Sequence, residues 1–239
     1  MRSLILFAKN PEPGRVKTRL HGALSPEQAA TLAHAFLVDT VNTMRDVEVE
    51  DRRVAYAPAG AERAVRDIVG PGLEFEAQVD GDLGARMQAA IESAVTRGAD
   101  RVVLIGADSP TLPAATLRAA FEALVDRDVV LGPSMDLGYY LIGVAAQCAT
   151  TSLLTTLFED VEWGTSQVLP ETLERLVRAG VALGWLPPAY DVDSPAELAF
   201  LRAELLGRRL AGESCPAATA QWLDLNDSDG EREGPGGEP

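Results

Sequence analysis

The chain has 239 residues, of which 46 % are hydrophobic and 5 % aromatic, which is enough for one α/β domain with a substantial core. Its formal net charge of −15 argues against general nucleic-acid binding, because that function depends on basic surfaces that neutralise phosphates. No stretch approaches the roughly 20 apolar residues that span a bilayer and no signal peptide is recognisable, so we expect a cytoplasmic protein without membrane insertion.

Strands and helices alternate along the first half of the chain. Ser3 to Ala8 is a continuous apolar run typical of a strand buried on both faces. Ser25 caps a predicted helix whose apolar residues recur at helical spacing as far as Met44. Further strands are predicted over 53–57, 74–79 and 101–106, and helices over 61–69, 83–97 and 113–125. This alternation predicts a mostly parallel sheet with helices on both faces.

The pattern changes in the second half of the chain. Two strands, over 128–131 and 139–144, are joined by a short loop, and helices over 170–178 and 195–210 flank a late strand, VALGWL. From Asp224 onward the composition shifts to six acids and one arginine among glycines and prolines. We therefore predict a single domain over 1–222 and a disordered acidic tail over 223–239.

The stretch FAKNPEPGRVKTRL follows the first predicted strand and concentrates cations in an otherwise acidic protein: Lys9, Arg15, Lys17 and Arg19. Gly14 and its neighbouring prolines make a rigid turn that exposes backbone amides. Amides and cations together suit a pyrophosphate or a triphosphate. A solvated basic loop without a ligand is the alternative. The stretch is not a P-loop, because the pattern GxxxxGK[ST] is absent.

Two aspartates follow predicted strands, at the edge where open α/β sheets bind ligands. Asp108 ends the buried run VVLIGAD, and Asp193 lies in DVDSPAEL before the last helix. Carboxylates at this edge can hold a divalent cation that bridges phosphates. Alternatively, Asp108 caps the following turn, and Asp193 or Ser194 caps the helix.

Aromatic residues surround a further aspartate in GPSMDLGYYLIG and EWGTSQ. Asp136 lies in the loop of the first segment, with Tyr139 and Tyr140 directly after it and Trp163 in the second segment. These rings could form a wall for a sugar or a base. Because neighbouring strand residues point to opposite faces, Tyr139 and Tyr140 cannot both face one ligand.

Six motifs occur in one order: FAKNPEPGRVKTRL, QVDGDLGARM, LIGADSPTLP, GPSMDLGYYLIG, EWGTSQVL and DVDSPAEL. With them the chain resembles the glycosyltransferase-like family of the GT-A superfamily, some of whose members are associated with arsenosugar biosynthesis. More distantly it resembles phospholactate guanylyltransferases and molybdenum-cofactor nucleotidyltransferases. The resemblance covers about residues 1–210. It implies a GT-A-like α/β fold, namely a doubly wound, mostly parallel mixed sheet in a three-layer α/β/α arrangement.

The resemblance also implies roles for individual residues. Those implied to contact the nucleotide's phosphates are Lys9, Gly14, Arg15, Lys17 and Arg19. Those implied to form an anion-binding helix start are Gly81, Asp82, Leu83, Gly84 and Arg86. Asp108 and Asp193 take the places of ligands to Mg²⁺ or Mn²⁺. Those implied to line the acceptor side are Asp136, Gly138, Tyr139, Trp163 and Thr165.

Two departures from the family pattern affect these expectations. The family has two glycines after the aspartate of the hairpin loop, and here Leu137 replaces the first. Because leucine does not readily adopt a positive φ, we expect a loop of different shape and an altered acceptor preference. The DxD pattern of many glycosyltransferases is also missing, since Ser109 and Pro110 follow Asp108.

Three hypotheses follow from these residues. The preferred one is metal-assisted glycosyl transfer from a nucleotide sugar to a small-molecule acceptor, with Lys17 and Arg19 stabilising the leaving diphosphate and Asp136 acting as the base. The second is nucleotidyl transfer, in which an NTP loses pyrophosphate to a phosphorylated acceptor. The third is a non-catalytic nucleotide-binding protein.

Overall fold

One seven-stranded sheet organises the computed structural model, which describes residues 1–230. The strands are β1 (Arg2–Lys9), β2 (Asp51–Ala57), β3 (Glu74–Ala77), β4 (Arg101–Gly106), β5 (Val129–Pro133), β6 (Tyr139–Ala145) and β7 (Leu183–Trp185). Their order across the sheet is β3-β2-β1-β4-β6-β5-β7. Strand β6 runs antiparallel to both of its neighbours, and the other six strands are parallel to one another. The mostly parallel mixed sheet is thus confirmed.

Helices cover both faces of this sheet. They are α1 (Pro26–Arg45), α2 (Glu62–Val69), α3 (Leu83–Thr96), α4 (Ala114–Ala123), α5 (Thr151–Phe158), α6 (Val168–Ala179), α7 (Pro195–Leu210) and α8 (Ala217–Gly230). On β1, Leu4 and Leu6 point into a core with α1, α2 and α4, whereas Ile5 points into a core with α3, α5 and α6. The strand is therefore buried on both faces, and the fold has three layers. Within residues 1–230, the helices are too short or too polar to cross a membrane.

Helix α8 is not predicted from the sequence, and it overlaps the start of the predicted tail. The backbone N–H groups of Ala218 and Thr219 donate to the Asp39 carboxylate of α1, at 3.0 and 2.7 Å. Trp222 and Leu223 then pack into a third core with α1 and α7. The sequence does not predict these apolar contacts, because the residues that follow are mostly acidic and are typical of a disordered segment. The helix includes residues 223–230 of the predicted tail, and residues 231–239 lie outside the described residues.

Helix α5 is also absent from the prediction. Thr150 caps it by accepting a hydrogen bond from the N–H of Leu153 at 3.2 Å. Its eight residues bury Leu154, Leu157 and Phe158 against the core on one face of the sheet. An apolar run this short shows no clear hydrophobic period. Its sequence therefore fits a strand or a buried helix equally well, and the helix could not be predicted.

Candidate functional site

Several loops meet at the edge of the sheet where the parallel strands end. The segment after β7 binds to the loops after β4 and β5 through backbone hydrogen bonds. Val192 N–H donates to Asp108 O at 2.9 Å, and Met135 N–H donates to Ala189 O at 3.0 Å. The loop after β1 joins them through the side chain of Lys17, which donates to Val192 O at 2.8 Å. Residues far apart in sequence are therefore held at one place.

Lys17 lies at the centre of this edge. Its side chain is only 4 % exposed, and its Nζ lies 2.5 Å from Asp108 Oδ1 and 2.9 Å from Asp193 Oδ1. Burial lowers the pKa of Lys17, but the attraction of the two carboxylates raises it by more than burial lowers it. The pKa of Lys17 therefore lies above its ordinary value, and the ammonium is charged. The backbone of Lys17 has φ +49°, a conformation that non-glycine residues rarely adopt and that is common at functional sites.

The two aspartates are not helix or turn caps through their side chains. Ser194 caps α7 in a capping box with Glu197, so that the Asp193 carboxylate is left to pair with Lys17. Asp108 likewise turns its carboxylate to Lys17. The structure thus joins three predicted site residues in one ion-paired group.

The donor set of this group fits a divalent metal that is shared with a phosphorylated ligand. Both carboxylates approach one ammonium, so their oxygens converge, and the two side chains are 50 % and 38 % exposed. Among the described side chains, those of residues 1–226, no group of three or more His, Cys, Asp or Glu is arranged to hold a metal. Mg²⁺ is commonly bound by one or two carboxylates together with substrate phosphates and water, which matches a pair of aspartates.

A cleft surrounds Lys17, and we call it the cationic cleft. The charged residues that line it are Lys9, Arg15, Lys17, Arg86, Asp108 and Asp193. Gly14 precedes Arg15 with φ +77°, as a tight turn requires. Arg15 is exposed and pairs with Glu12 at 3.3 Å. Arg19 is exposed and is not among the lining residues, so three of the four predicted cations of this stretch share one cleft.

The motif QVDGDLGARM begins α3 in a way that the sequence does not reveal. The Asp82 carboxylate caps the helix by accepting from the N–H of Ala85 at 2.8 Å. The carboxylate thus lies at the helix start where the resemblance implies that an anion binds. Arg86 Nε donates to Gly81 O at 3.0 Å. Gly84 is buried against Trp163, so its role here is close packing.

The substitution Gly84→Ala is expected to destabilise the protein by about 2 kcal/mol, because an added methyl group overpacks the core. Its Cβ would lie 2.3 Å from the carbonyl oxygen of Phe158 and 3.0 Å from the Trp163 ring. Urea denaturation measures the change. Gly207→Ala is the matched control, since its Cβ meets nothing within 4 Å on α7 and alanine favours a helix by about 1 kcal/mol. An unchanged midpoint for Gly84→Ala would contradict this packing role.

A second cleft adjoins the first, and we call it the apolar cleft. It contains all five residues predicted for the acceptor side: Asp136, Gly138, Tyr139, Trp163 and Thr165. Phe7 and Leu83 line both clefts, so the two meet there. Four of the nine residues predicted to bind phosphate, together with both predicted metal ligands, line the cationic cleft, and all five acceptor-side residues line the apolar cleft.

The two neighbouring tyrosines point to opposite faces of the sheet, as predicted. Tyr139 meets Trp163 edge to face, with ring centroids 6.3 Å apart. Tyr140 belongs to the core on the other face, and its hydroxyl donates to Pro187 O at 2.9 Å. Tyr139 and Trp163 therefore pack together on the same side of the sheet and line the apolar cleft with Phe7, and Tyr140 borders it from the other side.

The hairpin loop between β5 and β6 holds Asp136. Its Oδ1 accepts hydrogen bonds from Gly138 N–H, at 3.0 Å, and from the Ser134 hydroxyl. Leu137 adopts φ +68°, which corrects the expectation that leucine would avoid this conformation. Leu137 N–H donates to Ser134 O at 3.1 Å, and Leu169 N–H donates to Leu137 O at 2.8 Å. These bonds hold the leucine in a conformation that glycine favours.

The substitution Leu137→Gly is expected to stabilise the protein by about 0.5 kcal/mol. This conformation costs a non-glycine residue about 1–2 kcal/mol, which glycine avoids. The larger conformational entropy of glycine in the unfolded chain offsets about half of that stabilisation. Leucine loses little packing, since it is 45 % exposed. The control is Leu137→Ala, which retains a Cβ and should show no gain. Equal stabilisation of both variants in thermal unfolding would contradict backbone strain.

Asp191 is the site residue that sequence reasoning does not assign. It lines the apolar cleft, and its Oδ1 accepts from the Ser109 hydroxyl at 2.5 Å. Burial raises the pKa of Asp191 to about 7, and the nearby Asp108, Asp136 and Asp193 add to the rise, against the hydrogen bond from Ser109. Asp191 and Asp193 flank the buried Val192 and reach different clefts. The signal in the sequence was the DVD triplet, which places two acids at this edge.

A family model described as "Uncharacterized protein conserved in bacteria (DUF2064)" matches residues 40–165. The chain belongs to this family. The matched region includes Asp108 and Asp136 and ends at Thr165, whereas Lys17 and Asp193 lie outside it. No curated protein matches the chain at a significant level.

Solved structures share the fold over most of the chain. A proposed nucleotide-diphospho-sugar transferase from Desulfovibrio desulfuricans G20 is 32 % identical, with a TM-score of 0.85 over 95 % of each chain. CMP:2-keto-3-deoxy-manno-octonic acid synthetase complexed with CTP is 15 % identical, with a TM-score of 0.57 over 87 % of this chain and 99 % of that one. Rv0371c from Mycobacterium tuberculosis in complex with manganese is 18 % identical, with a TM-score of 0.53 over 83 % and 96 %. The GT-A-like fold is thus confirmed.

Proposed function

We propose that this protein transfers a glycosyl group from a nucleotide sugar to a small-molecule acceptor, with the help of a divalent metal. The observation that carries the proposal is the junction of the two clefts at Phe7 and Leu83. The cationic cleft suits a diphosphate, and the apolar cleft presents Asp136 to a second substrate. The description of the Desulfovibrio desulfuricans protein supports a nucleotide sugar as the donor.

The cationic cleft would stabilise the leaving nucleoside diphosphate. The ammonium of Lys17 also donates to Val192 O at 2.8 Å, so it remains held at the cleft when a metal takes the carboxylates and needs little reorganisation as negative charge develops on the leaving group. Lys9, Arg15 and Arg86 add positive charge around it. Mg²⁺ or Mn²⁺ on Asp108 and Asp193 would neutralise further phosphate charge, and the manganese complex of Rv0371c supports such a metal.

Asp136 would accept the proton of the attacking acceptor hydroxyl. A bond forms between the acceptor oxygen and the anomeric carbon, the bond from that carbon to the diphosphate breaks, and the proton passes to the carboxylate. Both loop hydrogen bonds to Asp136 use Oδ1. No donor among the side chains of residues 1–226 or the described backbone is bound to Oδ2, so this oxygen can face the substrate.

Nucleotidyl transfer is the second candidate. Four cations in one cleft suit a triphosphate as well as a sugar diphosphate. A synthetase with the same fold binds CTP, which supports an NTP as the alternative donor. This reaction would release pyrophosphate, whereas glycosyl transfer releases a nucleoside diphosphate.

A thermal-shift screen against NTPs and nucleotide sugars, with and without Mg²⁺ or Mn²⁺, tests the proposal. A ligand that binds the native state raises its melting temperature. We expect metal-dependent stabilisation by one nucleotide sugar, and loss of that stabilisation in Asp108→Asn. Incubation with that donor should then release nucleoside diphosphate. Preference for an NTP together with pyrophosphate release would refute glycosyl transfer in favour of nucleotidyl transfer.

A further inference from the structure

The apolar cleft defines the chemical class of the acceptor. We propose that the acceptor has an apolar body and a neutral or positively charged head group, and that phosphorylated molecules are excluded. This inference rests on the proposed function, because that function makes the apolar cleft the acceptor side. It is carried by the walls of the cleft, by its charges and by the position of the nearby cations.

The walls of the cleft are mostly hydrocarbon and aromatic. The apolar residues that line it include Phe7, Leu83, Met87, Ile142, Trp163 and Val168. Of these residues, Leu83 is 44 % exposed. An apolar body removes such surface from water, and this favours its binding. A small, fully polar acceptor would leave the walls uncovered.

The ionisable groups of the cleft include carboxyl groups and no cation. Among the lining residues in the described part of the chain, Asp136 and Asp191 carry the only ionisable carboxyl groups, and no lysine, arginine or histidine joins them. The N–H of Gly138, a possible anion donor, is already bound to Asp136. A phosphate would therefore meet carboxylates where it needs cations or free amides. A hydroxyl or an ammonium group can instead donate to Asp136.

The nearby cations are held on the other side of the junction. Lys17 is locked between Asp108 and Asp193, and Arg86 Nε is bound to Gly81 O. In the proposed reaction these cations face the phosphates of the donor. A phosphorylated acceptor would have to compete with the donor for the same groups. The arrangement therefore opposes the phosphorylated acceptor of the nucleotidyl-transfer candidate.

Three probes that share one apolar body test this inference: 2-phenylethanol, 2-phenylethylamine and 2-phenylethyl phosphate. The indole N–H resonance of Trp163 reports binding in the apolar cleft, and Trp163→Phe assigns it. The resonances of Trp185 and Trp222 are internal controls, since neither residue lines this cleft. We expect the alcohol and the amine to shift the Trp163 resonance at concentrations at least tenfold lower than the phosphate. In Asp136→Asn this gap should narrow.

Two outcomes would overturn the inference. One is a shift of the Trp163 resonance by the phosphate at the same or lower concentration than the alcohol. The other is no shift by any of the three probes. Failure of the proposed function is seen separately, as the absence of stabilisation by nucleotides in the thermal-shift screen. A preference for the phosphate probe while nucleotide sugars still bind would refute the acceptor class alone.

Discussion

Replacing Lys17 with methionine (Lys17→Met) is expected to tighten the binding of Mn²⁺ to the nucleotide-free protein by about tenfold, an effect of about 1.4 kcal/mol. The ammonium lies 2.5 and 2.9 Å from the oxygens of Asp108 and Asp193, so it competes with a metal for the same carboxylates. Opposite unit charges 4 Å apart attract by about 4 kcal/mol near a protein surface, which is enough for an effect of this size. Isothermal titration calorimetry measures the affinity.

The same variant should lose most of its stabilisation by nucleotides, because the cationic cleft loses its buried cation. Lys9→Met is the matched control: it removes a charge from the same cleft, and Lys9 forms no ion pair with the described side chains of residues 1–226. It should weaken nucleotide binding without tightening Mn²⁺ binding. Unchanged Mn²⁺ affinity in Lys17→Met would show that the two carboxylates are not the metal ligands.

Tighter Mn²⁺ binding by Lys17→Met would also explain how metal and nucleotide depend on each other. In the nucleotide-free protein the ammonium neutralises the two acids. An incoming diphosphate offers the ammonium another anion and offers the metal further oxygen ligands. Metal and nucleotide would then bind with positive coupling, each raising the affinity for the other.

Local signals in the sequence predict most of the fold. Ser25 and Ser194 each begin a capping box, so the starts of α1 and α7 are predicted to the residue. The apolar run of β1 predicts burial on both faces, and the structure confirms it. Helix α8 is missed because it depends on Asp39, a partner 179 residues away in sequence that binds the first turn of the helix.

The candidate site shows where sequence reasoning ends. Lys17, Asp108 and Asp193 could each be singled out as polar residues after strands, but their shared ion pairs depend on the fold. The sequence shows Asp191 beside Asp193, but it does not predict that Asp191 is buried in the other cleft. Gly84 belongs to a motif that the sequence shows, but the need for glycine there comes from its contact with Trp163, which only the fold reveals. The residues of a site can thus be predicted more readily than their partners.

Asp136→Asn is expected to reduce glycosyl transfer by about 10²–10⁴-fold, the usual contribution of a general base. Asparagine has nearly the same shape, and its Oδ1 can still accept from Gly138 and Ser134, so the loop and its stability should be preserved. Release of nucleoside diphosphate in the presence of 2-phenylethanol as surrogate acceptor measures the loss. Ser134→Ala is the control, because it removes one loop hydrogen bond and leaves the carboxylate in place. Undiminished transfer by Asp136→Asn would show that Asp136 is not the general base.

A second acceptor separates a base from a residue that only positions the substrate. 2,2-Difluoro-2-phenylethanol keeps the phenylethyl body and the neutral head group, but its hydroxyl is more acidic. An acceptor that loses its proton more easily depends less on general-base catalysis. The loss of transfer caused by Asp136→Asn should therefore be smaller for the fluorinated alcohol than for 2-phenylethanol. Equal losses for the two alcohols would mean that Asp136 positions the acceptor without removing its proton.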